Sequence, residues 1–159
     1  MVEGKDLARR EACGFGPGGT SPLPPLAQLA IVVHTEVVAI AERLGLTPMQ
    51  GRMLGLLARG PLRMNELAQR LGVEKAAATG LVDRAEARGL VAREAIPGDR
   101  RSIHVAVTDA GTSACSEFYE RLHLALDAMI ATLPEADRDT FTSWTQAVVG
   151  AWMRSAVPA

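Results

Sequence analysis

The chain has 159 residues, a net charge of −1, 48% apolar residues and only 4% aromatic ones. That length supports one domain with its own core, or one domain with appended helices, and an Ala- and Leu-rich composition favours helix. Two cysteines, Cys13 and Cys115, allow at most one disulfide and so exclude a disulfide framework, pointing to a reducing compartment, here the cytoplasm. With no run of 18 apolar residues and no signal-peptide pattern, neither a membrane span nor secretion is expected.

Residues 1–25 read as a flexible tail, rich in Gly and Pro. Within it, Gly14 to Gly19 fits G-x-G-x-x-G, but no strand precedes it and Thr-Ser-Pro follows, so a dinucleotide site is not expected. From Leu26 the spacing turns helical: Leu26, Leu29, Val33, Val37, Ile40 and Leu44 share a face, and Gly45 ends the run. Thr47-Pro48-Met49-Gln50 then reads as a capping box. Met53, Leu54, Leu56 and Leu57 supply the buried side of that helix, and Gly60-Pro61 stops it.

Leu67, Ala68 and Leu71 mark a short helix, with Asn65 as its expected cap and Gly72 as its break. A second helix is expected from about Glu74 to Arg88, with Ala78, Leu81, Val82 and Ala85 inward. Two short helices around a tight Gly-containing turn form the helix-turn-helix pattern. Next come a strand over 90–96, a turn over 97–101 and a returning strand over 102–107. On that strand Ile103, Val105 and Val107 are expected inward and His104 outward. Thr108-Asp109 caps a long helix carrying Phe118, Leu122, Leu126, Met129 and Leu133. Pro134 starts a last helix, with Phe141, Trp144, Val148 and Trp152 on one stripe.

The fold class is therefore mainly α with a small β-hairpin wing. A winged helix-turn-helix lobe over 47–108 is flanked by dimerisation helices at 26–46 and 109–156. Charge is uneven along the chain. Between Arg59 and His104 there are nine bases and six acids, a net of +3, against eight and twelve elsewhere, a net of −4. A basic lobe whose second helix fits a major groove points to double-stranded DNA. Arg100 and Arg101, at the hairpin tip, can reach phosphates or a minor groove, with Asp99 placed to orient Arg101.

The run "ELAQRLGVEKAAATGLVDRAEARGLVAREAIPGDRRSIHVAVTDAG" resembles the core of the MarR family of transcriptional regulators. Asp99-Arg100-Arg101 is similar to its D-x-R wing signature, and Val107-Thr108-Asp109-Ala110-Gly111 to its L-T-x-x-G. The resemblance spans about residues 26–153. It implies a cytoplasmic homodimer that binds a palindromic operator, as a repressor relieved by a small molecule or an oxidant. Lys75, Ala76, Thr79 and Arg84 then become the base- and backbone-contacting residues of the second helix, beside Asp99, Arg100 and Arg101 of the wing. The helix departs from the family in having Gly80 where Arg is common and Glu74 where Ser or Asp caps, which shifts weight to the wing and to DNA shape. His34, Met49, Arg52 and Met53 are the candidates for an effector pocket, with ordinary helix packing as the competing account.

No catalytic residues, cofactor or metal are expected. His34, His104 and His123 lack ligand spacing, no basic pair flanks either cysteine, and no nucleophile-base pattern stands out. The rival function is a winged-helix protein-interaction module that does not bind DNA.

Overall fold

The computed structural model describes residues 23–96 and 99–155, with the side chains of Ile96 and residues 99–102 outside the description. The rest of the expected tail, with Cys13 and the glycine run, lies outside the described residues, as do Pro97 and Gly98.

Helix α1 (Pro25–Arg43) starts on prolines, whose fixed φ suits a first turn, and passes through Leu44 to a left-handed Gly45. Helix α2 (Pro48–Leu57) opens with the expected capping box. The Gln50 amide donates to Thr47 Oγ1 at 3.1 Å, and the Thr47 amide donates to Gln50 Oε1 at 3.0 Å. Met53, Leu54 and Leu57 are buried, while Leu56 is half-buried.

Strand β1 (Leu62–Arg63) was not expected. Two residues are too few to show an alternation, and only the tertiary partner makes them a strand. That partner holds Arg63 extended, so helix α3 (Met64–Leu71) begins at the next residue. Asn65 is therefore inside the helix rather than its cap, and the N-terminus carries no side-chain cap.

Helix α4 (Lys75–Glu86) buries Ala78, Leu81, Val82 and Ala85, the four residues that periodicity placed inward. Strands β2 (Val91–Ile96) and β3 (Asp99–Val107) form the wing. The sheet is antiparallel, in the order β1-β3-β2, with three strands rather than the two of a simple hairpin.

The return strand begins at Asp99 instead of Ser102, so Arg100 and Arg101 belong to β3 and not to the turn. The register passes from Ala95↔Ile103 to Ile96↔Asp99, an irregularity that takes in both arginines. Val105 is 1% exposed but Ile103 is 54% exposed, contrary to expectation. They share a face, but only the base of the hairpin lies over the helices, and Ile103 is beyond it. His104 lies on the other face, where Glu94 partly covers it at 3.1 Å from Nε2.

Helix α5 (Asp109–Ile130) crosses α2 closely. A Cβ at Gly51 would stand 2.8 Å from the Phe118 ring, and one at Gly55 would stand 2.2 Å from the Tyr119 hydroxyl. Two glycines inside a helix cost propensity. Here that cost is offset by seating two aromatic rings, which meet edge to face at 5.2 Å between centroids.

The chain divides into two compact units, one up to Leu122 and one from His123. The core belongs to the first, with Met53, Leu54, Leu57, Leu67, Leu71, Val82 and Val105 all but fully buried. The second holds the end of α5 and helix α6 (Glu135–Ser155). Within it, Arg138 closes the end of α5 by donating from Nε to the Leu133 carbonyl at 3.1 Å and from Nη2 to that of Ala131 at 2.9 Å. No residue of α6 is buried, and Trp144, Val148 and Trp152 are 60–70% exposed.

By length and mean hydropathy α1 could cross a membrane, although Gln28, His34, Thr35 and Glu36 interrupt its apolar run. Its last turns nevertheless belong to the core, through the buried Ala39, Ile40 and Ala41.

Candidate nucleic-acid interface

The burial pattern of α4 leaves one face outward. Lys75, Ala76, Ala77 and Arg84 are exposed and Thr79 is half-buried. Thr79 Oγ1 donates to the Lys75 carbonyl at 2.9 Å, so this hydroxyl is turned back onto its own helix. Glu74 provides no side-chain cap, as its residue type predicts, and the first amides of α4 lack a side-chain partner.

Many of the charges around this face are paired with each other. Arg93 of β2 donates from Nη2 to Asp83 Oδ1 at 2.6 Å and from Nη1 to Glu86 Oε2. The Arg93 amide also donates to Glu86 Oε1 at 3.1 Å. The hydrogen bond that Arg93 donates to Asp83 does most to raise its guanidinium above its ordinary value, and Glu86 adds to it. Arg70 pairs with Glu66 at 2.6 Å. Arg52 donates to the Arg70 carbonyl at 3.1 Å, at the end of α3. Arg88 donates to the Gly45 carbonyl at 2.7 Å and to Gln50 Oε1 at 3.3 Å, tying the end of α4 to the α1–α2 junction.

After this pairing, Arg59, Arg63, Lys75, Arg84 and Arg88 carry no ion pair among the described residues, Arg88 being held by the Gly45 and Gln50 oxygens, and of the segment's acids with described side chains Glu74 is in the same position. The pairing leaves the net of +3 unchanged, but most of the segment's acids are engaged within the lobe, so the charged groups left without an ion pair are mainly basic. An outward helix face with unpaired Lys75 and Arg84 can accept a polyanion.

The wing joins α5 through Thr108. Its Oγ1 donates to the Gly89 carbonyl at 2.6 Å and accepts from the Gly111 amide at 3.0 Å, which makes Thr108 the cap expected of it. A Cβ at Gly111 would lie 1.9 Å from the Leu90 carbonyl oxygen. The spacing Thr108-x-x-Gly111 thus has a physical basis: a capping hydroxyl, then a helix turn pressed against the strand's entry.

The sequence-predicted residues fall in three places. Lys75, Ala76, Thr79 and Arg84 sit together on α4. Asp99, Arg100 and Arg101 begin β3, and their side chains lie outside the described residues. Of the pocket candidates, Met53 has no exposed surface, while His34, Met49 and Arg52 face outward. Sequence reasoning overlooked the roles of Arg93 and Arg88. The first had a signal: Asp83 and Glu86 lie one helical turn apart, and a base follows where the strand turns back. Cys115 is buried, and burial pushes its thiol up, away from the thiolate that a sensor needs.

Residues 44–102 match the model of the MarR family. The matched segment takes in most of the winged-helix lobe, which is thus similar to the MarR family. The chain is 36% identical over 80 residues to the HTH-type transcriptional repressor MdtR of Bacillus subtilis, a match covering 50% of this chain and 52% of that one. It thus spans about half the length of that curated relative. YusO of Bacillus subtilis has the same fold at a TM-score of 0.63 and 28% identity, over 83% of this chain and 91% of that one. A variant of MepR from S. aureus, bound to an oligodeoxyribonucleotide, superposes at a TM-score of 0.61 over 80% of this chain and 94% of that one. At 18% identity it speaks for the fold alone.

Proposed function

We propose that this MarR-family chain is a cytoplasmic, homodimeric, sequence-specific DNA-binding regulator of transcription, a repressor whose hold on its operator a small-molecule effector relieves. The observation that carries the reading is the outward face of α4, where Lys75 and Arg84 stand unpaired among the described residues while Arg93 takes up the neighbouring acids. Helix α4 enters the major groove. Lys75 and Arg84 reach phosphates or base edges, Ala76 touches thymine methyls, and Thr79 lies between them. The wing, with Arg100 and Arg101 at the start of β3 and Asp99 before them, covers the backbone and the adjacent minor groove. MdtR, by name a repressor, supports the direction of regulation, and the oligodeoxyribonucleotide-bound MepR variant supports the use of this fold on DNA.

The uncovered stripe of α6 supports the dimer, since Trp144 and Trp152 are some two-thirds exposed in the single chain. Two-fold symmetry presents two α4 helices to half-sites about one helical turn apart. An effector lodged near His34, Met49 and Arg52, against the core residue Met53, would act by shifting the lobes' spacing.

The test is selection of duplexes from a random pool, then a salt titration of the selected site. A palindrome whose binding weakens steeply with salt is expected. Arg101→Ala is expected to weaken it by about 1–3 kcal/mol with an unchanged melting curve. Failure to bind any duplex at low salt would favour a protein-interaction module instead.

A further inference from the structure

Arg93 joins the two DNA-facing elements, although it belongs to neither of the surfaces described above. It stands on β2, three residues before that strand ends at Ile96. Its guanidinium spans Asp83 and Glu86, which lie one turn apart on α4, and Glu86 also accepts from the Arg93 backbone amide. The planar guanidinium fork, with one arm on each carboxylate and the backbone amide as a third donor, fixes direction as well as distance. All three side chains keep solvent contact, at 27% for Arg93, 57% for Asp83 and 38% for Glu86. Exposed ion pairs contribute little to global stability, so holding the fold together is a poor account of this cluster. The hairpin's outer half needs some such fixing. Its base is packed through Val91 and Val105, but further out Ile103, Glu94 and Ala95 are exposed, so among the described side chains no core holds the wing's direction there.

We propose that Arg93 is a positioning residue, a strut between Asp83 and Glu86 of α4 and the wing strand, which sets the wing so that wing and helix meet the same duplex. The inference rests on the DNA-binding reading and adds to it the residue that aligns the two contacts. The cluster has a competing account as a charge screen, in which Arg93 merely hides two carboxylates from phosphate. The two accounts give opposite signs for one variant. D83N/E86Q removes two negative charges beside the DNA and also removes the strut's anchors. A screen predicts tighter binding, and a strut predicts weaker binding.

The experiment measures affinity for the duplex selected by the wild-type protein, together with amide exchange of the DNA-free protein by NMR. For D83N/E86Q the strut predicts affinity lower by about tenfold, near the low end of one lost base contact. Exchange should be faster over β2 and β3, with α4 and the melting temperature unchanged. Arg93→Met should show the same loss and Arg93→Lys a partial recovery, because an ammonium keeps one arm of the fork. Should Arg93→Met fail to fold, the double variant still decides. Equal or tighter binding by D83N/E86Q, with wing exchange unchanged, would overturn the proposal. A wild-type protein that binds no duplex would instead overturn the DNA reading, and the exchange comparison would still decide whether Arg93 holds the wing.

Discussion

The winged lobe and helix α6 both carry apolar stripes at helical spacing, yet they end differently. In the lobe the stripes are covered: Leu67, Leu71, Leu81 and Val82 are at most 5% exposed. In α6, Trp144, Val148, Trp152 and Met153 are at least 60% exposed. The same periodicity thus marks a face to be buried without saying what buries it. Where the covering elements follow within a few residues, the chain supplies them itself. Where they do not, the stripe is surface in a single chain, and large exposed aromatics of this kind mark an interface.

The sharpest way to break that contrast is to remove the α6 stripe. Wild type is expected to sediment as a dimer, and Trp144→Ser with Trp152→Ser should abolish that self-association, giving a monomer at micromolar concentration. If the dimer is obligate, the variant's melting temperature also loses its dependence on protein concentration. A double variant that remains dimeric would move the interface elsewhere.

The lobe should respond in the opposite manner, through its own stability. Leu71→Ala and Leu81→Ala each leave a cavity in a closed core and should cost about 2–5 kcal/mol in denaturant unfolding. Loss of DNA binding without loss of stability in either would mean that the face is misassigned. Gly111→Ala should come next, at about 1–3 kcal/mol, since its Cβ must displace the Leu90 carbonyl or the first turn of α5. Here the comparison sharpens. A single methyl at the strand–helix joint should cost more than truncating a whole tryptophan on α6 costs a monomer.

Legibility in the sequence followed the same division. Helix faces and the Thr47 and Thr108 caps could be read because they depend on residues at most four positions apart. Strand β1 could not, because Leu62 and Arg63 are a strand only by virtue of Val105 and His104, some forty residues on. The misplacement of Asn65 as a cap follows from that one omission. Ile103 was misjudged for a related reason: alternation gives a side chain's face but not how far the core beneath it extends. Of the candidate site, the outward placement of Lys75, Ala76 and Arg84 on α4 was legible from burial periodicity, since outward is what remains when inward is known, while their role on DNA is what the resemblance implies. Arg93 was not legible, because its role depends on a hairpin folding back over a helix.

The smallest effect expected concerns Cys115, and it tests how closed the lobe is. Burial raises the thiol of Cys115 above its ordinary value, and burial likewise raises the hydroxyl of Tyr119 one turn along. An acid whose pKa is raised by folding keeps its proton longer in the native state than in the unfolded one. Between the two values the native state holds more bound protons, so stability falls as pH rises. For the thiol this decline begins near its unfolded value, about pH 8.5, and for the phenol near about pH 10. Melting temperature should therefore drop gently from pH 8.5 upward, and Cys115→Ala should flatten the first part of that decline. The same burial should leave Cys115 slow to react with a disulfide reagent in native protein and fast in denaturant. Rapid native reaction at pH 8 would mean that the joint between α2 and α5 opens readily, and the lobe would then be a less rigid body than its packing indicates.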